Sequence, residues 1–417
     1  MISKGPSITY LARFVNGYPF KPDDLGSEGL PVVRIRQLVD EAADFEYANP
    51  PLDAVYIGNG DIVFSWSATL AVRQWHRGKA LLNQHLFRVD PHPGVERRWL
   101  TYVLEVGIER LKPLMHGSAM THITSDMLRM LTVAVPPCET QRAIADYLDA
   151  ETSRIDALIE KKRRMANLLM QRLHETSLQI LTEEHNLTEE SQIELKSKRS
   201  GLKTVDPMKP FVALKNMLRR LPAEWQVVPI CRVSRLVEEY NSDGEATMLS
   251  LTSAGTLVDR SADTQPPKDE YLLRYGLVRP GDLVVNPMWL AGGGIGVSLR
   301  YGAVSPEYRV YRFVEGIDAR FIHHVVRSMP YLDQFRLLVR AETTFDRRIT
   351  KDSFRDLPLP IPPMPVQRAI ADDLDSLTYR TFQVTERLQR QVSLLTECRQ
   401  TLIAQLVTSE SIALDQR

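Results

Sequence analysis

Apolar positions in residues 366–408 recur at alternating spacings of three and four. Positions 374, 377, 381, 384, 388, 391, 395, 398 and 402 read Leu, Leu, Thr, Val, Leu, Gln, Leu, Cys and Leu, with almost no helix breaker between them. This pattern is a coiled-coil seam. A less regular stripe runs through Ile144, Leu148, Ile155, Leu158, Met165, Leu169, Leu173 and Ile180. Each stripe predicts a helix of about 40 residues, roughly 60 Å at 1.5 Å per residue. A narrow stripe on so long a helix needs a partner of similar length. The expected pairing is antiparallel, with Ile144, Leu148, Ile155, Leu158 and Leu169 on one helix facing Leu374, Leu377, Val384, Leu388, Leu395 and Leu402 on the other. The alternative is that each helix packs on its own globular domain.

The helices belong to a long internal repeat. Residues 123–149 read ITSDMLRMLTVAVPPCETQRAIADYLD and residues 349–375 read ITKDSFRDLPLPIPPMPVQRAIADDLD, identical at 15 of 27 positions with no gap. Pro136-Pro137 and Pro362-Pro363 punctuate the two copies. Proline leaves a strand ladder but suits a helix entry. Upstream, Gly60-Asp61-Ile62-Val63 and Gly281-Asp282-Leu283-Val284 both read as a turn entering a strand. The intervening stretches do not match, so a duplicated frame carries divergent interiors.

Outside the helices, short apolar runs such as Leu30–Ile35, Asp61–Trp66 and Val310–Val314 alternate with Gly, Pro and Asn turns and with helical patches. The fold class expected is α+β. Five segments follow: a mixed domain over 1–137, a helical region over 138–182, a polar linker over 183–205, a second mixed domain over 206–363, and a closing helical region over 364–417.

Composition narrows the function classes. The 417 residues are 43% hydrophobic and 25% charged, with 52 basic and 52 acidic side chains. A solitary nucleic-acid binder is usually basic, because it displaces counterions along the phosphates; neutrality fits a reader working inside a larger complex. No run approaches the roughly 18 apolar residues of a membrane helix. Cys138, Cys231 and Cys398 are widely spaced, against a disulfide framework or a Cys-rich zinc site. A cytoplasmic setting is expected.

The rival enzyme classes find no complete catalytic motif in the chain. Asn286-Pro287-Met288-Trp289 is superficially like the Asn-Pro-Pro-aromatic motif of amino-methyltransferases, but the second proline is missing. The glycine-rich Ala291–Gly296 run leads into a strand-like segment rather than a helix. There is no G-x-x-x-x-G-K-[ST] and no H-E-x-x-H. The expectation is no catalytic, cofactor-binding or metal-ligating residue. The alternatives kept open are a DNA N-methyltransferase and a methyltransferase-associated coiled-coil scaffold.

Polar, basic and aromatic residues beside turns remain. Arg34, Arg36, Ser65, Trp66, Ser67, Gln84, His85 and Ser118 stand in the first half, and Asn286, Trp289, Arg300, Arg347 and Arg348 in the second. Arg, Asn and Gln can make bidentate contacts to base edges, and hydroxyls suit phosphates. These thirteen are the candidate DNA contacts.

Several of these stretches resemble one family. Phe14–Lys21, Gly29–Ile35, Gly60–Leu70, Leu82–Phe87 and His116–Thr124 in the first half, and Leu221–Trp225, Gly281–Met288 and Val304–Tyr308 in the second, resemble the specificity subunit of type I restriction-modification enzymes. Both Pro-Pro…Gln-Arg-x-Ile junctions fit that family's boundary between target-recognition domain and helix. The resemblance implies two target-recognition domains of mixed α/β structure, separated by two long helices forming an antiparallel coiled coil. Each domain would read one half of a bipartite, asymmetric site in double-stranded DNA. Two modification (methyltransferase) subunits using S-adenosylmethionine would dock on the helices. Restriction subunits would add ATP- and Mg-dependent activity. This chain itself would hold no cofactor.

Overall fold

A computed structural model of the chain describes residues 5–112, 122–182, 211, 214–260, 269–338 and 349–408. The chain divides into two compact units, Met1–Arg164 with Leu388–Arg417, and Met165–Arg387. The expected linker over 183–205 lies outside the described residues.

In the first unit, β1 (Ala12–Asn16), β5 (Ile62–Ser65), β6 (Ala71–Gln74) and β8 (Leu86–Pro91) form an antiparallel sheet in the order β1-β8-β5-β6. Every residue of β5 is buried, as a central strand requires. A second sheet is ordered β3-β2-β7-β4, from β2 (Leu30–Val33), β3 (Glu46–Ala48), β4 (Tyr56–Ile57) and β7 (Ala80–Leu82). Helix α1 (Ile35–Val39) follows β2. Helix α2 (Arg97–Leu111) begins where the Glu96 carboxylate accepts from the Trp99 amide. It buries Trp99, Leu100, Val103, Leu104, Ile108 and Leu111 at helical spacing. Short α3 (Ser125–Met130) precedes the long α4 (Cys138–Thr182).

The second unit repeats the main sheet. Here β10 (Ser234–Leu236), β14 (Leu283–Val285), β15 (Ile295–Val297) and β17 (Arg309–Phe313) take the order β10-β17-β14-β15. Three two-stranded sheets accompany it: β9 (Gln226–Pro229) with β18 (Pro358–Ile361), β11 (Leu249–Leu251) with β12 (Leu257–Asp259), and β13 (Gly276–Val278) with β16 (Gly302–Val304). The helices are α5 (Lys215–Arg219), α6 (Ile230–Val233), α7 (Asp269–Leu272), α8 (Ala319–Arg327), α9 (Met329–Leu338), α10 (Lys351–Arg355) and the long α11 (Met364–Val407). The Asp318 carboxylate caps α8 by accepting from the Arg320 and Phe321 amides.

Each long helix serves both units. In the first unit the start of α4 meets the end of α11. Ala145, Leu148, Ile403 and Val407 share one core with Trp99 and Leu104. Arg399 pairs with Asp156, and Lys162 donates to Gln391 at 2.7 Å. Rising numbers on α4 meet falling numbers on α11, so the packing is antiparallel. In the second unit Leu181, near the end of α4, shares a core with Ile370, Ala371 and Leu374 near the start of α11. The two expectations for the helices therefore combine, since each helix packs both on its neighbour and on globular elements.

Among the expected seam residues, Leu148, Leu374 and Leu388 are buried. Ile144, Ile155, Leu169, Leu377, Leu395 and Leu402 are half-buried. Leu158 and Val384 are exposed, and the buried positions beside them are Ile159 and Thr385. The seam drifts because an α-helix turns every 3.6 residues and falls out of step with a strict seven-residue repeat.

One joint ties each helix to its sheet. In the first unit Gln141 Nε2 donates to the Gly94 and Pro136 carbonyls at 3.1 and 2.8 Å, while its Oε1 accepts from the Glu96 amide at 2.7 Å. In the second, Gln367 Nε2 donates to the Gly316 and Pro362 carbonyls at 3.3 and 2.8 Å, and its Oε1 accepts from the Asp318 amide at 2.8 Å. Gly94 and Gly316 have φ of 88° and 92°, open to glycine and strained for other residues. Arg98 bonds Glu96, Asp146 and Asp149, and Arg320 bonds Asp318, Asp372 and Asp375. The Asp146 and Asp372 hydrogen bonds, chief among these, hold the two guanidinium groups more firmly charged than usual. Among the described residues no helix is long and apolar enough to cross a membrane.

Candidate nucleic-acid interface

In the first unit the chain leaves β5 in a tight loop. The Ser65 hydroxyl, fully buried, donates to the Ser67 and Thr69 carbonyls at 3.2 and 2.7 Å. Ala68 adopts φ 54°, left-handed without being glycine. This curl sets the half-buried Trp66 and the buried Ser67 beside the β7–β8 turn. Trp66 Nε1–H donates to the Gln84 carbonyl at 3.1 Å and lies 3.3 Å from Asn16 Oδ1. The Trp66 ring centroid is 5.9 Å from His85, 5.9 Å from Phe87 and 6.0 Å from His122. Ser67 Oγ and His85 Nδ1 are hydrogen-bonded at 3.1 Å. The Ile123 amide donates to the Trp66 carbonyl at 2.8 Å, closing the loop onto the segment that follows.

The fold thus gathers Ser65, Trp66, Ser67, Gln84 and His85 and adds Asn16 and His122. His85 and His122 are exposed and Trp66 is half-buried. The buried Ser65 shapes the loop and faces no solvent. Arg34 and Arg36 sit apart, on the second sheet and α1: Arg34 pairs with Glu46 at 3.2 Å and Arg36 is exposed. Ser118 lies outside the described residues.

In the second unit Asn286 ends β14. Its Oδ1 accepts from the Met288 amide at 3.1 Å and its own amide donates to the Gly294 carbonyl at 2.8 Å. The Trp289 ring is 43% exposed. A Cβ at Gly292 would collide with that ring, and Gly293 has φ 89°, so these glycines serve the turn. The Asn-Pro-Met-Trp stretch is a side-chain-capped turn leading into β15. Arg300 lies at the other end of the hairpin: Leu283 pairs with Val297 there, whereas Val285 pairs with Ile295 beside Asn286. Asn286 and Trp289 are brought together and Arg300 is not. Arg347 and Arg348 lie outside the described residues.

Arg327 fixes this turn from α8. It donates to the Gly293 and Ile295 carbonyls, each at 2.9 Å, and to the Ser253 carbonyl at 2.9 Å. Burial pulls its pKa down to about 10. Nearby His323 accepts the Val297 amide at Nδ1 (3.1 Å), and burial, with the charges of His324 and Arg327, pulls its pKa down to about 3. Among the described residues no group of three or more His, Cys, Asp or Glu side chains could hold a metal ion.

Sequence reasoning passed over Asn16 and Ala68 as contributors to the first loop and Arg327 as the anchor of the second. Asn16 was within a motif stretch, but nothing in one sequence marks a left-handed alanine or an arginine bonded to distant carbonyls.

Comparison with known proteins gives a consistent picture. Residues 20–166 match the type I restriction modification DNA specificity domain. The chain is 20% identical over 166 residues to the type I restriction enzyme EcoBI specificity subunit of Escherichia coli, covering 39% of this chain and 35% of that relative. It is 21% identical over 344 residues to the type I restriction enzyme MjaVIII specificity subunit of Methanocaldococcus jannaschii, covering 78% of this chain and 73% of the relative. A solved chain from work on complex assembly and conformational transition of the type I R-M system aligns over 98% of this chain and 99% of its own, with a TM-score of 0.57 at 14% identity, a likeness of fold.

Proposed function

The chain belongs to the specificity subunits of type I restriction-modification systems, and we propose that each of its two units reads one half of a bipartite, asymmetric site in double-stranded DNA. The carrying observation is that the same sheet and Gln joint occur twice while the loops after β5 and β14 differ. Ser65–Ser67 with Gln84 and His85 form one reading loop, and Asn286 with Trp289 forms the other. Two similar frames with unlike loops suit two unlike half-sites. Aromatic and amide groups on exposed loops are suited to base edges.

In this reading the chain contributes recognition and no chemistry. The helices α4 and α11 set the half-site spacing, much as dimer geometry sets it in other DNA readers. They also dock two modification subunits, which supply S-adenosylmethionine and methylate adenine; restriction subunits add ATP- and Mg-dependent activity. Tethering joins two weak readings into one stronger reading through effective concentration. The complex works in the cytoplasm.

The test is to exchange residues 206–363 for those of another specificity subunit, reconstitute the methyltransferase and map methylated motifs by long-read sequencing. One half-site should change and the other persist. Change in both half-sites, or in neither, overturns the reading.

A further inference from the structure

The first unit carries Trp66 where the second carries Pro287. Strand registers make the correspondence. Phe14 and Ile62 both pair with Val89, and Leu236 and Leu283 both pair with Tyr311. Counting along these strands, Trp66 falls on Pro287, Phe87 on Arg309, His85 on Glu307 and Asn16 on Glu238. A long-range bond agrees: Ile123 N–H donates to the Trp66 carbonyl at 2.8 Å, and Ile349 N–H to the Pro287 carbonyl at 3.3 Å.

The consequence is a difference in shape. In the first unit the indole of Trp66 fills this place and leans on Phe87. In the second a recess of about 340 Å³ stands there, lined among others by Glu238, Arg274, Pro287, Glu307, Arg309 and Lys351. That volume is within the range of ligand-binding clefts. The lining carries both carboxylates and cations, which suits a partner with both donors and acceptors better than a bare phosphate. Arg309 is half-buried on β17, while Arg274 and Lys351 are exposed.

We infer that this recess is the specificity pocket of the second unit for duplex DNA, with Arg309 reading a guanine and Arg274 and Lys351 holding the adjoining phosphates. This rests on the reading of the chain as a DNA reader and deepens it. An arginine fork matches guanine O6 and N7, which a lysine cannot match in bidentate fashion. The first unit, plugged by Trp66, reads its half-site with a closed aromatic face.

The test uses the full-length chain reconstituted with its modification subunits and a selection of bound duplexes from a randomised pool at two salt concentrations. Arg309→Lys should relax one guanine position in one half-site, by about tenfold or more in discrimination. Pro287→Trp, which fills the recess, should alter that same half-site. Lys351→Ala and Arg274→Ala should weaken binding to all sequences alike and each lower the salt slope by about 1. A wild-type bipartite consensus left unchanged by both Arg309→Lys and Pro287→Trp overturns the pocket and leaves the reading standing. A change confined to the other half-site also overturns the pocket. A wild-type complex that selects no consensus overturns the reading itself, and the pocket with it.

Discussion

Gln141 and Gln367 make the same three hydrogen bonds in two copies of one joint. Each donates to a left-handed glycine's carbonyl and to a proline carbonyl, and each accepts the amide of a helix-capping acid. Both side chains are buried, so water cannot replace these bonds. The joint fixes the direction in which each long helix leaves its sheet.

Gln141→Ala should therefore cost about 3 kcal/mol, because orphaned buried amides and carbonyls cost roughly 1–3 kcal/mol each. Hydrogen exchange should show lost protection around residues 137–150 and none around 363–376. Gln367→Ala should give the reverse pattern. Equal loss in both regions would mean that the joints do not act separately.

Ala68 occupies a left-handed conformation at the loop that presents Trp66 and Ser67. For a residue with a Cβ this costs roughly 1–2 kcal/mol. Ala68→Gly relieves that strain but frees the unfolded chain, so melting should shift up slightly or stay level. Ala68→Val should lower it, since a β-branched side chain tolerates positive φ worse.

Arg399, on α11, pairs with Glu105 on α2 and Asp156 on α4. A double-mutant cycle of Arg399→Ala and Glu105→Ala should give a coupling of about 0.5–3 kcal/mol. Proteolysis of the Arg399→Ala protein should open residues 388–407 first. A coupling of zero would reduce this network to an exposed pair of little worth.

Acid should weaken the second unit through two groups. His323, whose Nδ1 accepts the Val297 amide, has a folded pKa of about 3, below the unfolded value. The unfolded chain binds the extra proton between these values, so stability is full above the unfolded pKa and falls with pH below about 6.5. Burial raises the Asp375 pKa, but the His324 hydrogen bond and the Arg320 and His324 charges outweigh burial and hold it below the usual carboxylate range. Its contribution is present above the unfolded carboxylate pKa and is lost as pH falls through the folded one. Urea titrations from pH 7 to pH 4 should show the His323 loss, at most about 1.4 kcal/mol per pH unit per proton. His323→Gln should flatten that part of the curve.

The joints were legible because duplication left the same letters at both, Pro-Pro then Gln-Arg-Ala-Ile. The long helices were legible from their stripes, but the buried positions slipped from Leu158 to Ile159 and from Val384 to Thr385. Heptad counting assumes a period that a real helix keeps only when supercoiled. The reading loops were half legible. Trp66, Gln84 and His85 come together because β5 and β8 are paired neighbours, yet the sequence gives no sign that Arg300 leaves the opposite end of its hairpin from Asn286. Nor could letters show the recess beside Pro287, since it depends on an indole missing from a place defined only by strand register.

The sharing of α11 orders how the protein is made. Ile403 and Val407 complete the core that holds Trp99 and Leu148, although 255 to 308 residues separate them in sequence. The first reader to emerge from the ribosome is thus the last to be finished, because its closing helix is translated after the second reader. A nonsense codon late in the message, well past the second sheet, would injure the opposite end of the polypeptide.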